Sequence, residues 1–315
     1  MYDIEQPYGP PVEGRLRVAT WNVWGRYGPW RERERGIVAA LADCAPDLVV
    51  LVEAWQTADD DQARRLGDAL GLPHHLFACG MEDGDALSGL AILSAWPFVR
   101  EDQRTLSAQD APDGAGAGDG AGAGDGAGAG DGAGAGDGAG AGDGAGAGDG
   151  AGATGAFVFA EVEGPRGLVQ IGAAALAWRR DHSGPRQRQV REICRFLAEN
   201  QRRRCPTILA GDFNADPGSD EIRSLTGYGE AAAPGVFFHD AWTMSGPPGG
   251  GHTWSNANPW ARPVLWPDRR IDYILSAHPR RGGAGHPLDC RLLGHEPFDG
   301  IYPSDHFGLV ADLTY

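Results

Sequence analysis

Short apolar runs recur along the chain, and most of them close on a polar residue. Residues 16–25 (LRVATWNVWG) read as a first strand running into a loop, with Asn22 near its end. Residues 47–55 (DLVVLVEAW) form a nearly continuous Val/Leu run that carries Glu53. A run of that kind predicts a strand buried on both faces, as in a layered α/β protein. Residues 89–97 (GLAILSAWP) repeat the pattern and stop at Pro97, and 157–162 and 168–178 repeat it twice more. Residues 208–210 make a shorter run that ends at Gly211 and delivers Asp212 and Asn214. Two residues apart on an extended chain, their side chains point the same way. Asp272 stands among Ile271, Tyr273 and Ile274, an unusual place for a charge without a partner. Residues 302–310 (YPSDHFGLV) carry Asp305 and His306 into a closing strand.

Helical spacing appears at Ile37, Val38 and Leu41 within 31–44, over 60–70, at Val190, Ile193, Cys194 and Leu197 after Ser183, and from Ser219 toward Gly227. The charged residues Arg31–Arg35 are expected to form a solvated face. Arg202, Arg203 and Arg204 suit the C-terminal end of the long helix, where positive charge is favoured. His74 and His75 read as loop residues. Strands alternating with helices predict an α/β fold.

One segment interrupts this pattern. Residues 113–153 repeat Asp-Gly-Ala-Gly-Ala-Gly with no branched or aromatic side chain, so they cannot bury enough surface to offset chain entropy. A flexible acidic insertion between two strands is expected. A flexible N-terminal segment over 1–14 and a single domain over 15–315, broken only by that insertion, complete the expected organisation.

The 315 residues carry a formal charge of −16, which falls to −9 when the seven repeat aspartates are set aside. An acidic body disfavours general adhesion to a nucleic-acid backbone. All 27 basic residues are Arg, consistent with a compositional bias toward Ala, Gly and Pro rather than with a dedicated binding surface. Five cysteines form no CxxC pair, and Cys44 and Cys194 fall at apolar helical positions as small core residues. With no transmembrane-length run and no leader-like apolar stretch, a cytoplasmic monomer is expected.

Each polar strand end, taken alone, also fits a turn or a cap. Five together (Asn22, Glu53, Asp212 with Asn214, Asp272, Asp305 with His306) suggest a shared rim. The inventory is hard oxygen donors with one histidine, which favours Mg²⁺ or Mn²⁺ over Zn²⁺.

The ordered segments TWNVWG, LVEAW, GLAILSAWP, GDFNADP, RRIDYIL and PSDHFGL resemble the endonuclease/exonuclease/phosphatase superfamily across residues 15–315 outside the repeat. That superfamily includes type I deoxyribonucleases, abasic-site endonucleases, neutral sphingomyelinases and inositol polyphosphate 5-phosphatases. The resemblance implies a four-layer α/β/β/α sandwich of two packed sheets. It also implies metal ligands at Asn22, Glu53 and Asp305, and water positioning at Asp212 and Asn214. His306 would contact a phosphoryl oxygen, with Asp272 as its orienting partner. The implied activity is Mg²⁺-dependent phosphoester hydrolysis by in-line attack of water. Two positions depart from the family pattern. Ala174 and Ala175 stand where a Thr-His pair is usual, and Val52 stands where Gln often precedes the Glu. Loss of a phosphate-contacting histidine typically costs on the order of 10²–10³ in turnover. The alternative is therefore a metal-binding pseudoenzyme or binding module on the same scaffold, and within enzymes a nuclease. A small phosphoester substrate is preferred over nucleic acid.

Overall fold

The computed structural model describes residues 13–107, 154–200, 202, 206–277 and 281–315. The repeat expected to be a flexible loop lies outside them, as does most of the 1–14 segment. Among the described residues twelve strands and five α-helices follow in the order β1 (Arg15–Asn22), α1 (Trp30–Cys44), β2 (Leu48–Gln56), α2 (Gln62–Leu70), β3 (His74–Asp83), β4 (Ala86–Ser94), β5 (Phe98–Leu106), β6 (Gly155–Gly164), β7 (Gly167–Ala175), α3 (Ser183–Asn200), β8 (Thr207–Asp212), α4 (Asp220–Thr226), β9 (Phe238–Asp240), α5 (Ala241–Ser245), β10 (Asp272–Ala277), β11 (Pro287–Leu293) and β12 (Gly308–Thr314). Two six-stranded sheets result, ordered β11-β12-β1-β2-β4-β3 and β5-β6-β7-β8-β10-β9.

Strand side chains alternate between faces, and here both faces are buried, which explains the unbroken apolar runs. Leu16 and Val18 of β1, Leu48, Val50 and Val52 of β2, and Ile208 and Ala210 of β8 meet in a central core between the sheets. Ala19, Trp21, Val49 and Leu51 point outward and pack under Ile37 and Leu41 of α1 and Leu66 of α2. On the other side Leu209 and Phe159 pack under Val190, Ile193 and Leu197 of α3 and Ile222 of α4. Three cores separate four layers, as the α/β/β/α expectation requires.

Within each sheet one central pair is parallel: β1 with β2, joined by α1, and β7 with β8, joined by α3. The remaining pairs are antiparallel. This arrangement brings the C-terminal ends of β1, β2 and β8 to the same rim as the N-terminal ends of β10 and β12. Asp272 and Asp212 face each other in the β10–β8 register. Gly211 makes the close passage possible. At φ 137° it sits so near β7 that an added Cβ would lie 2.0 Å from the Ala174 carbonyl oxygen.

Two local expectations change. His74 and His75 open β3 and pair with Ser94 and Leu93, so they belong to an edge strand rather than a loop. Arg33, within the expected solvated face, is buried. Its five N–H groups donate to the carbonyls of Val23, Trp24, Gly25, Tyr27 and Pro303 at 2.9–3.1 Å. Arg202 pairs through its guanidinium with Glu161 at 2.8 Å on both nitrogens, a specific partner beyond the helix end. Cys44 and Cys194 are buried thiols as expected, and burial pushes them up to about 11 and about 12. Among the described residues no helix is long and apolar enough to cross a membrane.

Candidate active site

All seven candidate residues reach the shared rim. Asn22 is the last residue of β1, and its amide nitrogen donates to Glu53 Oε1 at 3.0 Å and Asp212 Oδ2 at 3.2 Å. The amide oxygen of Asn22 accepts from the Trp24 backbone N–H at 3.0 Å. Asn22 therefore bridges two carboxylates as a donor, and its oxygen, which accepts from the Trp24 N–H, keeps a second lone pair for a cation. Glu53 occupies a β-bulge between Val52 and Ala54 with φ 56°. Trp24 and Asn214 also hold positive φ (56° and 51°). Such strain in non-glycine residues persists only where surrounding contacts over-determine it, and it clusters at functional sites.

Asp212 Oδ1 accepts from the Asn214 backbone N–H at 2.9 Å, and the Asn214 side chain donates to the Leu176 carbonyl at 3.1 Å. His306 Nδ1 lies 2.9 Å from Asp272 Oδ2, and its Nε2 lies 3.9 Å from Asp212 Oδ2. Ser304 Oγ donates to the Asn22 carbonyl at 2.7 Å, fastening the segment before His306 to the end of β1.

The electrostatics follow from burial of several like charges. Burial pushes the Asp212 carboxyl up to about 6, reinforced by the Asp272 charge and opposed by His306. Burial likewise raises Asp305 to about 6, with His306 opposing and Glu53 adding to the rise. Glu53 moves up for the same reason, opposed first by its bond from Asn22. Burial alone would lower His306, but Asp272, Asp212 and Asp305 hold it well above its ordinary value. An imidazolium with Nδ1 fixed on Asp272 directs its Nε2–H toward Asp212.

Asp212, Asp272 and His306 bring ligand-type atoms within 4.8 Å of one another. His306 Nδ1 and Asp272 Oδ2 are already bonded to each other, so this trio is an ion pair facing a carboxylate rather than a closed ligand shell. Glu53 and Asp305 fit a hard divalent cation better. Both are buried-site carboxylates raised by desolvation, and a cation between them would relieve that cost.

Ala175 ends β7 in register with Asp212, so the position where the resemblance leads one to expect a histidine borders the site. Three further contributors escaped sequence reasoning. Thr253 Oγ1 accepts from the N–H groups of Ile271 and Asp272 at 3.1 and 3.2 Å and so seats Asp272. The Trp254 ring meets His306 edge-on with centroids 5.1 Å apart. Asn258 donates to the carbonyls of Ser304 and Asp305 at 2.7 and 3.1 Å. Their only signal is a Thr-Trp pair and an Asn inside a Gly/Pro-rich stretch.

Comparison with known proteins places this geometry. No curated protein matches the chain. Among solved structures, an endonuclease/exonuclease/phosphatase from Beutenbergia cavernae is 22% identical with a TM-score of 0.61, covering 96% of this chain and 72% of the other. D. rerio TDP2 in complex with a single-strand DNA product is 19% identical with a TM-score of 0.67, covering 96% and 100%. The human Nocturnin catalytic domain with bound sulfate is 18% identical with a TM-score of 0.61, covering 95% and 93%. These likenesses establish a common fold. The profile of the Endonuclease/Exonuclease/phosphatase family matches residues 19–306, nearly the whole chain. The chain belongs to the Endonuclease/Exonuclease/phosphatase family, whose members are metal-dependent phosphoesterases or nucleases.

Proposed function

We propose that this protein is a Mg²⁺-dependent phosphoester hydrolase, with Mn²⁺ able to substitute. The observation that carries the reading is the position of Asp212. It receives Asn22 on one oxygen, receives the Asn214 N–H on the other, and faces the Nε2 of a charged His306.

Glu53 and Asp305 would hold the cation, whose chemistry is to neutralise charge on a phosphoryl oxygen and lower the cost of attack. Asp212, raised to about 6, is a carboxylate near neutral pH and basic enough to orient water and accept its proton. Asn214, fixed by Leu176, helps define where that water and the phosphate sit. His306 donates from Nε2 to a non-bridging oxygen as negative charge develops there, and Asp272 keeps the ring charged and oriented. One P–O bond forms as the opposite one breaks. The leaving alkoxide takes up a proton, so a diester and water become a phosphomonoester and an alcohol.

Ala175 supports a second reading, in which the scaffold binds metal and phosphate but turns over weakly or not at all. A panel of bis-p-nitrophenyl phosphate, plasmid DNA, abasic DNA, sphingomyelin and inositol phosphates, assayed with Mg²⁺, separates the two. The single-strand DNA product bound by D. rerio TDP2 makes short single strands a useful addition to that panel. Hydrolysis of a member, abolished by metal chelation, supports the enzyme. No turnover by the wild type or by Ala175→His leaves the binding module.

A further inference from the structure

Asn214 stands at the reacting edge with its backbone at φ 51°, and its carboxamide donates to the Leu176 carbonyl at 3.1 Å. The place of that carboxamide is therefore set by the place of Leu176, the first residue beyond β7. Leu176 donates its own N–H to the Asp212 carbonyl at 3.0 Å. The next N–H, of Ala177, goes to Oε1 of buried Gln189 in α3 at 3.0 Å. This wall of the site is thus held from the helix behind it.

A guanidinium completes that hold. Arg186 donates from Nη1 to the carbonyls of Ala177 and Arg179 at 3.0 and 2.6 Å, and from Nη2 to that of Arg180 at 3.4 Å. Its Nε donates to Glu221 Oε1 at 2.6 Å, and the second oxygen of Glu221 accepts from Ser183 Oγ at 2.7 Å. The two paired side chains are 4% and 0% exposed. Glu221 lies in the first turn of α4, which the chain enters from β8 by way of Asn214. The pair therefore ties the segment leaving β7 to the segment leaving β8 from behind, and the Asn214–Leu176 bond ties the same two segments at the front.

Stability alone does not account for this pair. Withdrawing two charges from water offsets much of their attraction, and apolar replacement of a whole buried pair is often neutral or stabilising. Arg186 is also the fourth residue of α3, where the helix dipole opposes a cation. What the pair supplies is geometry. A planar guanidinium with fixed donor directions can pin three loop carbonyls and a carboxylate at once, which a compact ammonium cannot.

We propose that Arg186 and Glu221 are a positioning pair for Asn214. By fixing Ala177, Arg179 and Arg180 they fix the Leu176 carbonyl, and through it the direction in which the Asn214 carboxamide faces the phosphate and the attacking water. Arg186 is buried behind the loop and acts on the reaction only through it. The part given to Asn214 rests on the phosphoesterase reading, whereas the coupling of the pair to its side chain does not.

Proton exchange of the Asn214 side-chain amide, followed by NMR in metal-free protein and assigned by its loss in Asn214→Ala, tests that coupling without turnover. The double variant Arg186→Met/Glu221→Leu removes both charges together. Its Tm is expected within about 5 °C of the wild type, while Asn214 exchange quickens at least about ten-fold. Glu221→Gln, which keeps an acceptor for Arg186, is expected to hold exchange within about two-fold of the wild type. Arg186→Lys keeps the charge but not the fork, so it is expected to quicken exchange like the double variant, and it gives the reading if that variant does not fold. With bis-p-nitrophenyl phosphate, kcat of the double variant should fall about 10–10²-fold with KM nearly unchanged, and that fall should not add to the fall in Asn214→Ala. Exchange unmoved in both variants, or kcat losses that add in full, would overturn the positioning role. A wild type without turnover would count against the hydrolase instead, and the exchange rates would still decide the pair.

Discussion

His306 Nδ1 and Asp272 Oδ2 lie 2.9 Å apart, both side chains almost fully withdrawn from solvent. This contact, with the nearby Asp212 and Asp305 charges, outweighs the burial that would otherwise keep the imidazole neutral. Removal of the ring by His306→Ala is predicted to lower kcat on the order of 10²–10³-fold, the usual effect of losing one donor to a transition-state oxyanion. Asp272→Asn should also lower kcat, and it should bring the His306 titration down toward neutrality, visible as a new alkaline limb in the rate profile. An unchanged kcat in His306→Ala would remove the histidine from the mechanism.

The raised carboxyls set a pH dependence with a defined sign. Asp212 and Asp305 sit near 6 in the folded protein and near 3.9 when unfolded. The folded state therefore binds their protons more tightly. Their contribution to metal-free stability is fully present below the unfolded value and is lost as pH rises through about 6. His306, also raised, adds stability that is lost only as pH climbs through its elevated folded value. Cation binding competes with protons on the carboxyls, so Mg²⁺ should raise Tm more at pH 8 than at pH 5, and activity should fall on the acid side near pH 6. Equal Tm shifts at the two pH values would contradict this.

Ala175 stands beside Asp212 in the strand register, where a histidine would add a second donor to the phosphate. Ala175→His is predicted to increase turnover by on the order of 10-fold or more, up to the 10²–10³ typical of such a donor. The partly buried position tolerates a larger side chain only if it points to the rim, so unchanged thermal stability alongside the gain is the accompanying check.

Arg33 fastens the turn after Asn22 to Pro303, two residues before Asp305, through five donated hydrogen bonds. Burial lowers its pKa to about 10, and the charges of Asp305 and Glu53 oppose the drop. Arg33→Met leaves those carbonyls without donors and should destabilise the fold by about 3–5 kcal/mol, read from the urea midpoint. Arg33→Lys restores at most three donors and should recover only part of that loss. Folded Arg33→Met protein should bind Mn²⁺ more weakly, because both loops that carry Glu53 and Asp305 neighbours lose their common anchor.

The strands that stand out in the sequence share a physical reason. β1, β2, β4, β7 and β8 are central strands buried on both faces, so their apolar runs stand out, and the polar residues at their ends stand out against them. β3 and β5 are edge strands, and β5 carries Arg100, Glu101, Asp102 and Arg104 on both faces, a feature that discourages edge-to-edge pairing and hides the strand from pattern reading. Arg33 looked like surface charge because the five carbonyls that bury it come from a loop and from a segment 270 residues away. Thr253 and Trp254 lie in a stretch of glycine and proline, and nothing local announces that they bridge Asp272 and His306. Asn22 ends β1 at the rim, and its contacts to Glu53 and Asp212 are set by chain far away in sequence.

In the proposed reaction Asp212, facing His306 and steered by Asn22, drives metal-dependent attack on phosphorus. Initial rates of bis-p-nitrophenyl phosphate hydrolysis with Mg²⁺ test it directly in wild-type protein, Ala175→His and Asp212→Asn. Metal-dependent turnover in the wild type, a higher rate in Ala175→His, and a loss on the order of 10³-fold or more in Asp212→Asn are expected. Turnover that survives Asp212→Asn, or none in either the wild type or Ala175→His, would contradict it.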